Sequence, residues 1–120
     1  MSQLLLTLAG VMGAVGITLA AAGAHGKPGS GLDSAGYLLV IHAVAVLAAT
    51  ALMRAGLVYR PLAVGSLWGF VAGSVLFAAD VAARAYAGGK LFPFAAPAGG
   101  MIMIASWLLL AAAALVGSRA

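Results

Sequence analysis

The chain has very little charge. Of its 120 residues, 65% are hydrophobic, six are Lys or Arg, and two are Asp or Glu. Soluble domains carry about 25% charged residues, so this chain has too few charges to cover a surface in contact with water. Its high hydrophobicity also excludes a disordered protein, which needs low hydrophobicity and high charge. The remaining class is an integral membrane protein.

Other absences narrow the chemistry. The chain has no cysteine, which excludes disulfides and thiolate metal sites. Its only acidic residues are Asp33 and Asp80, which are too few for a cluster of acidic ligands. It contains no nucleophile elbow, phosphate-binding loop, paired carboxylates or metalloprotease motif. We therefore predict a protein that is not an enzyme and has no cofactor and no metal site.

The basic residues are spread singly and never form a run, which argues against nucleic acid as a partner. Long basic side chains beside the ends of membrane helices can reach the lipid headgroups. We expect the lipid bilayer to be the partner of all six: Lys27, Arg54, Arg60, Arg84, Lys90 and Arg119.

Four apolar segments are each long enough to span a bilayer, which takes about 20 residues. The sequence thus predicts an all-α integral membrane four-helix bundle, a single domain over residues 1–120 with helices at about 2–23, 35–54, 61–86 and 98–117. Asp33 or Ser34 is predicted to cap the second helix, and Pro61 suits the start of the third. The first segment has small residues like those of a cleavage site, but it lacks a basic start, so we predict that it spans the membrane.

Four spans place both ends of the chain on one side of the membrane. Three of the six basic residues fall on each side, so the positive-inside rule gives little guidance. Arg54 and Arg60 bracket one very short loop on the side of the termini, whereas Asp80 can neutralise Arg84 on the other side. We therefore predict a bacterial inner-membrane protein with both termini in the cytoplasm.

Small residues recur at helical spacing in two of the segments and predict close helix contacts. The third segment has a glycine at every fourth position, and the first has three within seven residues. These glycines could hold the four helices together, or they could dock a further copy or a larger complex. They are Gly65, Gly69 and Gly73 in the third segment and Gly10, Gly13 and Gly16 in the first.

The polar residues predicted to lie in the membrane fall near one of its faces. His25 ends the first helix, His42 lies about 10 Å into the second, and Asp80 and Arg84 lie near the end of the third. The four-residue spacing of Asp80 and Arg84 suits an ion pair. Ionisable groups inside a membrane are by default functional, so these four residues form a candidate polar site for a proton or a ligand. The alternative is that they only hold helices together. The indole N–H of Trp107 is also expected inside the bundle, where it needs an acceptor.

Several motifs resemble those of a known family in the same order along the chain. They are Gly-Ala-His-Gly at 23–26, His-Ala-Val-Ala-Val-Leu at 42–47, Gly-Ser-Val-Leu-Phe at 73–77, and Ala-Pro-Ala-Gly-Gly at 96–100, followed by Trp107-Leu108. The chain resembles the domain of unknown function 423 family, whose eukaryotic relatives are called transmembrane protein 256. That resemblance implies a small four-helix membrane protein and no particular activity. Asp80 stands where bacterial members usually have Ser, so the Asp80–Arg84 pair is particular to this chain.

These features favour a small non-catalytic protein that serves as a packing or accessory subunit of a larger membrane assembly. The partner would be a larger membrane protein complex or further copies of the chain. The alternative function is a small transporter or channel whose path is lined by His42 and Asp80. Small four-helix exporters commonly need an acidic residue deep in the membrane, and the other three helices have none, which disfavours this alternative.

Overall fold

The computed structural model describes residues 2–117, and the regular elements of this part of the chain are all helices, with no strand. The elements are α1 (Ser2–Ala21), α2 (Leu32–Arg54), α3 (Arg60–Ala87) and α4 (Ala95–Val116), with a short π-helix over Ala22–Gly26 that continues α1. Each of the four helices is long and apolar enough to cross a membrane. The prediction of an all-α membrane bundle is confirmed. Arg119, a predicted headgroup anchor, lies outside the described residues.

The second helix begins three residues earlier than predicted, and the prediction of its cap is wrong. Gly31 precedes the helix with a φ of 85°, a left-handed conformation that glycine adopts without strain. The Ser30 hydroxyl accepts the N–H of Leu32 at 3.3 Å. Asp33 therefore lies within the first turn and is not the N-cap residue, although its Oδ1 accepts the free N–H of Ser34 at 2.9 Å. Its negative charge also interacts favourably with the helix dipole.

The fourth helix also begins three residues early, at Ala95 instead of Ala98. Pro97 is its third residue, and the N–H groups of the first turn have no partner within a helix. A proline there removes no helical hydrogen bond, so Pro97 does not mark the start of the helix as the sequence suggested. At the preceding loop, α3 ends with Gly88 at a φ of 78°.

The helices pack in the order of the chain. α1 packs against α2, α2 against α3, and α3 against α4, while no extensive contact joins α1 to α4 among the described residues. The molecule is accordingly flat, with extents of 49 × 26 × 19 Å. α1 and α4 are the edge helices and expose most of their apolar side chains.

Glycines mark two close helix crossings. A Cβ added at Gly16 would lie 2.8 Å from the Gly36 carbonyl oxygen of α2, and one added at Gly73 would lie 2.9 Å from the Gly99 carbonyl oxygen of α4. A Cβ at Gly69 would overlap the Ser106 hydroxyl. Gly16 and Gly73 are needed because two backbones approach closely there, whereas at Gly69 the neighbouring atoms belong to the Ser106 and Ile102 side chains.

The other glycines predicted to pack against a helix make looser contacts or none. Gly65 is in loose contact only, since an added Cβ would lie 3.6 Å from Leu109 Cδ1. Around Gly10 and Gly13 no atom of a neighbouring helix in residues 2–117 would lie within 4 Å of an added Cβ. These two glycines therefore make no close contact with another described helix, so of the two roles predicted for them the structure does not assign them to holding the bundle together. The reason is the open packing order, which leaves the outer side of α1 without a neighbouring helix.

Candidate functional site

His42 lies on α2 and its side chain is held at both ring nitrogens. The residue is 4% exposed. Its Nδ1 lies 2.7 Å from the backbone carbonyl oxygen of Leu38, one turn earlier on the same helix. The indole N–H of Trp107 on α4 donates to His42 Nε2 at 3.1 Å.

These two partners fix the protonation of the ring. A carbonyl oxygen only accepts hydrogen bonds, and an indole N–H only donates them. Nδ1 must therefore carry a proton and Nε2 must carry none, so the arrangement requires the neutral Nδ1–H tautomer, as assigned from the hydrogen-bond geometry. Each nitrogen of His42 is used by a protein partner, and neither is left for a ligand.

Phe70 of α3 completes an aromatic cluster with His42 and Trp107. The Phe70 and Trp107 ring centroids are 4.7 Å apart, and the His42 centroid lies 5.6 Å from Phe70 and 5.9 Å from Trp107. The cluster thus ties three helices together. Because α2 begins at Leu32, His42 is about 15 Å along its helix, near the middle of a hydrocarbon layer about 30 Å thick, and deeper than the sequence indicated.

Asp80 is fully buried at 0% exposure, and both of its carboxylate oxygens are occupied. Arg84 Nε donates to one oxygen at 2.9 Å, as the spacing predicted. The backbone N–H of Leu91, in the loop between α3 and α4, donates to the other at 2.8 Å. The Arg84 side chain is 48% exposed, so the pair points toward the membrane surface. Asp80 therefore anchors a loop, a role that no sequence pattern indicated.

The predicted polar site of four residues is not assembled as one group. Phe70 contacts His42, and Asp80 follows Phe70 on the same helix at a distance of about 15 Å along the axis. The structure joins Asp80 to Arg84 and joins His42 to Trp107. His25 is exposed at the end of the π-helix. Within residues 2–117, no group of three or more His, Cys, Asp or Glu side chains could hold a metal ion.

Two further polar features of the structure are not predicted by any sequence pattern. The ammonium group of Lys27 lies over the Tyr86 ring, 5.0 Å from its centroid, and connects the loop after α1 to the end of α3. Thr50 of α2 is buried, and its hydroxyl has no hydrogen-bond partner among the described residues. Cation–π pairs between distant helices have no local sequence signal, since they depend on how the helices are rotated.

No curated protein matches the chain, and no solved structure matches it. The family model described as "Protein of unknown function (DUF423)" matches residues 19–100, more than half of the chain. The matched residues include His25, His42, Phe70, Asp80 and Arg84, while Trp107 lies beyond them. The chain is a small membrane protein that belongs to the DUF423 family.

Proposed function

We propose that the protein is a non-catalytic accessory subunit that packs against a larger membrane assembly through the outer face of α1. The observation that carries this proposal is the position of Gly10 and Gly13. They lie on this face, which is the side of α1 that no other described helix covers, where Gly10 is exposed and Gly13 is half-buried. No atom of a neighbouring helix in residues 2–117 would come within 4 Å of a Cβ at either position.

Other glycines inside the helices of this chain show which structural role a glycine has at a helix contact. At Gly16, Gly36, Gly73 and Gly99 the glycine admits the backbone of a neighbouring helix. Lipid tails are as apolar as the helices, so helices associate in a membrane through close packing at small residues. A glycine inside a helix costs about 1 kcal/mol relative to alanine. Gly10 and Gly13 carry this cost without a close contact in the chain, which supports a helix of another subunit as their partner.

The transporter alternative has less support. A path for protons or ions through His42 and Asp80 needs ring nitrogens or carboxylate oxygens that can exchange partners. Both nitrogens of His42 and both oxygens of Asp80 are engaged, and the two residues are separated along the bundle.

The proposed location is a bacterial inner membrane, with both ends of the chain in the cytoplasm. Its support is the loop between α2 and α3, which is short and has Arg54 at one end and Arg60 at the other. Short loops rich in Lys and Arg stay in the cytoplasm.

The accessory role is tested by the mass of the protein in native nanodiscs excised from its own membrane. We expect the wild-type chain in a particle heavier than a monomer, together with another protein. Gly13→Leu, which adds bulk to the outer face of α1, should release the chain as a folded monomer. Ala105→Leu is the matched control, since it adds similar bulk at an exposed position of α4 that is not a glycine and lies away from α1.

Two results would overturn the proposal. One is a wild-type chain that is monomeric in these nanodiscs. The other is a heavy particle that contains only this chain, which would make it a homo-oligomer and not an accessory subunit. Circular dichroism of each variant checks that a loss of mass does not come from unfolding.

A further inference from the structure

A groove opens between α1 and α3, with α2 as its floor. It has a volume of about 320 Å³ and is lined by apolar side chains, among them Val11, Val15 and Leu19 of α1, Leu39 of α2, and Val75 and Ala79 of α3. Small-molecule sites in proteins are typically clefts of about 300–1,000 Å³. We propose that this α1–α3 groove binds one acyl chain of an anionic phospholipid, whose headgroup is held by Lys27.

The groove has the length of one leaflet. Its wall on α3 runs from Val71 to Ala82, which is about 16 Å at the helical rise, and half of a hydrocarbon layer of about 30 Å is about 15 Å. Val71 follows Phe70, which lies near the middle of the bundle. The groove therefore runs from the membrane midplane to one surface.

The groove closes at the midplane. Below it, Leu5 and Ala9 of α1 join Leu67 and Phe70 of α3 in one buried cluster. A transmembrane helix of a partner would need a cleft along the full thickness of the bilayer, about 20 residues long. A cleft confined to one leaflet fits a lipid tail better than a helix.

The upper end of the groove carries a positive charge. Tyr86 comes four residues after Ala82 and shares its face of α3, because residues at this spacing lie above one another on a helix. The Lys27 ammonium lies 5.0 Å from the centre of the Tyr86 ring, which places the charge above the mouth of the groove. A lysine there can pair with a phosphate group while the acyl chain fills the apolar cleft below.

The other basic residues at this surface are placed differently. Arg84 is bonded to Asp80, and Lys90 lies in the loop after α3. Arg84 is half a turn away from Ala82 and Tyr86 on the helix. Lys27 is thus the basic residue that the fold places above the groove, and Lys90 serves as a control at the same surface.

The proposal is independent of the accessory role. On α1, Gly10 and Gly13 are rotated by about 100–160° from the groove-lining Val11 and Val15, so they lie on a different side of the helix. A partner helix on the outer face of α1 and a lipid in the groove can therefore be present together. Gly13→Leu should leave lipid binding unchanged, so the two proposals can fail separately.

The test uses native mass spectrometry of the purified full chain with added palmitoyl-oleoyl phosphatidylglycerol or phosphatidylcholine. We expect one retained lipid per chain and a preference for phosphatidylglycerol of about fivefold, which corresponds to one lysine near an anionic headgroup. Lys27→Gln should remove this preference and keep the binding of one lipid. Lys90→Gln should leave the preference as in the wild type.

A second pair of variants tests the groove itself. Ala79→Phe fills the groove from α3, and Val11→Trp fills it from α1; both positions are exposed, so the larger side chains do not enter the core. Each should abolish the retained lipid, while Ala105→Phe, at an exposed position of α4, should not. Having one filling variant on each wall keeps the test valid if one of them does not fold.

Three results would overturn the proposal. These are no discrete lipid on the wild-type chain, lipid that is retained in the folded groove-filling variants, or a wild-type dimer that those variants dissociate. The last result would show that a second copy of the chain occupies the groove.

Discussion

His42 is fixed in one tautomer by a carbonyl that only accepts and an indole that only donates. The contact with Trp107 joins α2 to α4, two helices that are otherwise separated by α3 over most of their length. At the residue scale, this bond links α4 directly to α2, in addition to the extensive packing of α4 on α3.

The first prediction concerns this bond. Trp107→Phe removes the donor and leaves His42 Nε2 without a partner in an apolar setting, so it should lower the free energy of unfolding. A double-mutant cycle with His42→Phe isolates the interaction. We expect a coupling of about 0.6 kcal/mol and at most about 1.7 kcal/mol, the average and the maximum for hydrogen bonds between membrane helices. Unfolding in mixed micelles of mild detergent and dodecyl sulfate measures it.

Trp68→Phe is the matched control, because Trp68 lies on α3 and makes no aromatic contact with His42. Its cycle with His42→Phe should give a coupling close to zero. A coupling near zero for Trp107 as well would contradict the assigned hydrogen bond.

The sequence predicted part of this residue-scale picture. The Asp80–Arg84 pair followed from a four-residue spacing on one helix, and the need of Trp107 for an acceptor followed from its depth. The identity of that acceptor did not follow. His42 and Trp107 are separated by 65 positions in the sequence, and their meeting depends on the rotation of two helices about their axes, which tertiary packing sets.

At the scale of the elements, the second prediction concerns the crossing of α3 and α4. Gly73→Ala places a methyl group 2.9 Å from both the Gly99 carbonyl oxygen and Met103 Cγ. Overpacking of this kind costs about 1–3 kcal/mol, so the variant should unfold at a lower concentration of dodecyl sulfate than the wild type. Gly65→Ala, on the same helix face but in looser contact, should be neutral or stabilising. Equal effects of the two substitutions would refute the close crossing.

The third prediction concerns the loop from Gly88 to Phe94. Asp80→Ala removes the acceptor of the Leu91 N–H, so this amide should exchange with deuterium much faster than in the wild type. Asp80→Asn keeps an oxygen that can accept this bond, and Arg84→Ala leaves the carboxylate in place, so both should retain the protection of Leu91. Hydrogen exchange followed by NMR reads this amide directly. Loss of protection in Arg84→Ala would show that the ion pair, and not the Asp80–Leu91 bond, holds the loop.

The sequence identified the four helices because their apolar segments have the length of a membrane span. It placed the starts of α2 and α4 three residues late, and both errors have local causes. At α2 a left-handed glycine and Ser30 begin the helix before the acidic residue that looked like a cap. At α4 a proline that looked like the boundary is tolerated inside the first turn.

At the scale of the whole molecule, the fourth prediction concerns orientation. The chain has no cysteine, so single cysteines can be introduced without a background. Gly29→Cys lies in the loop after α1, and Leu57→Cys lies in the loop between α2 and α3. In intact spheroplasts, an impermeant maleimide should label Gly29→Cys but not Leu57→Cys. The reverse pattern would place the termini outside, and labelling at both positions would contradict four spans.

Each of the two close glycine crossings joins helices that are consecutive in the chain, and this affects the order in which the helices can pack during synthesis. Gly16 meets Gly36 within the α1–α2 hairpin, and Gly73 meets Gly99 within the α3–α4 hairpin. Chains are synthesised from the N-terminus, and membrane helices can pack once they are inserted. The first hairpin can thus close while the second is still being translated. The His42–Phe70–Trp107 cluster takes residues from both hairpins, so it forms last. Its contacts then hold the two hairpins together in the membrane.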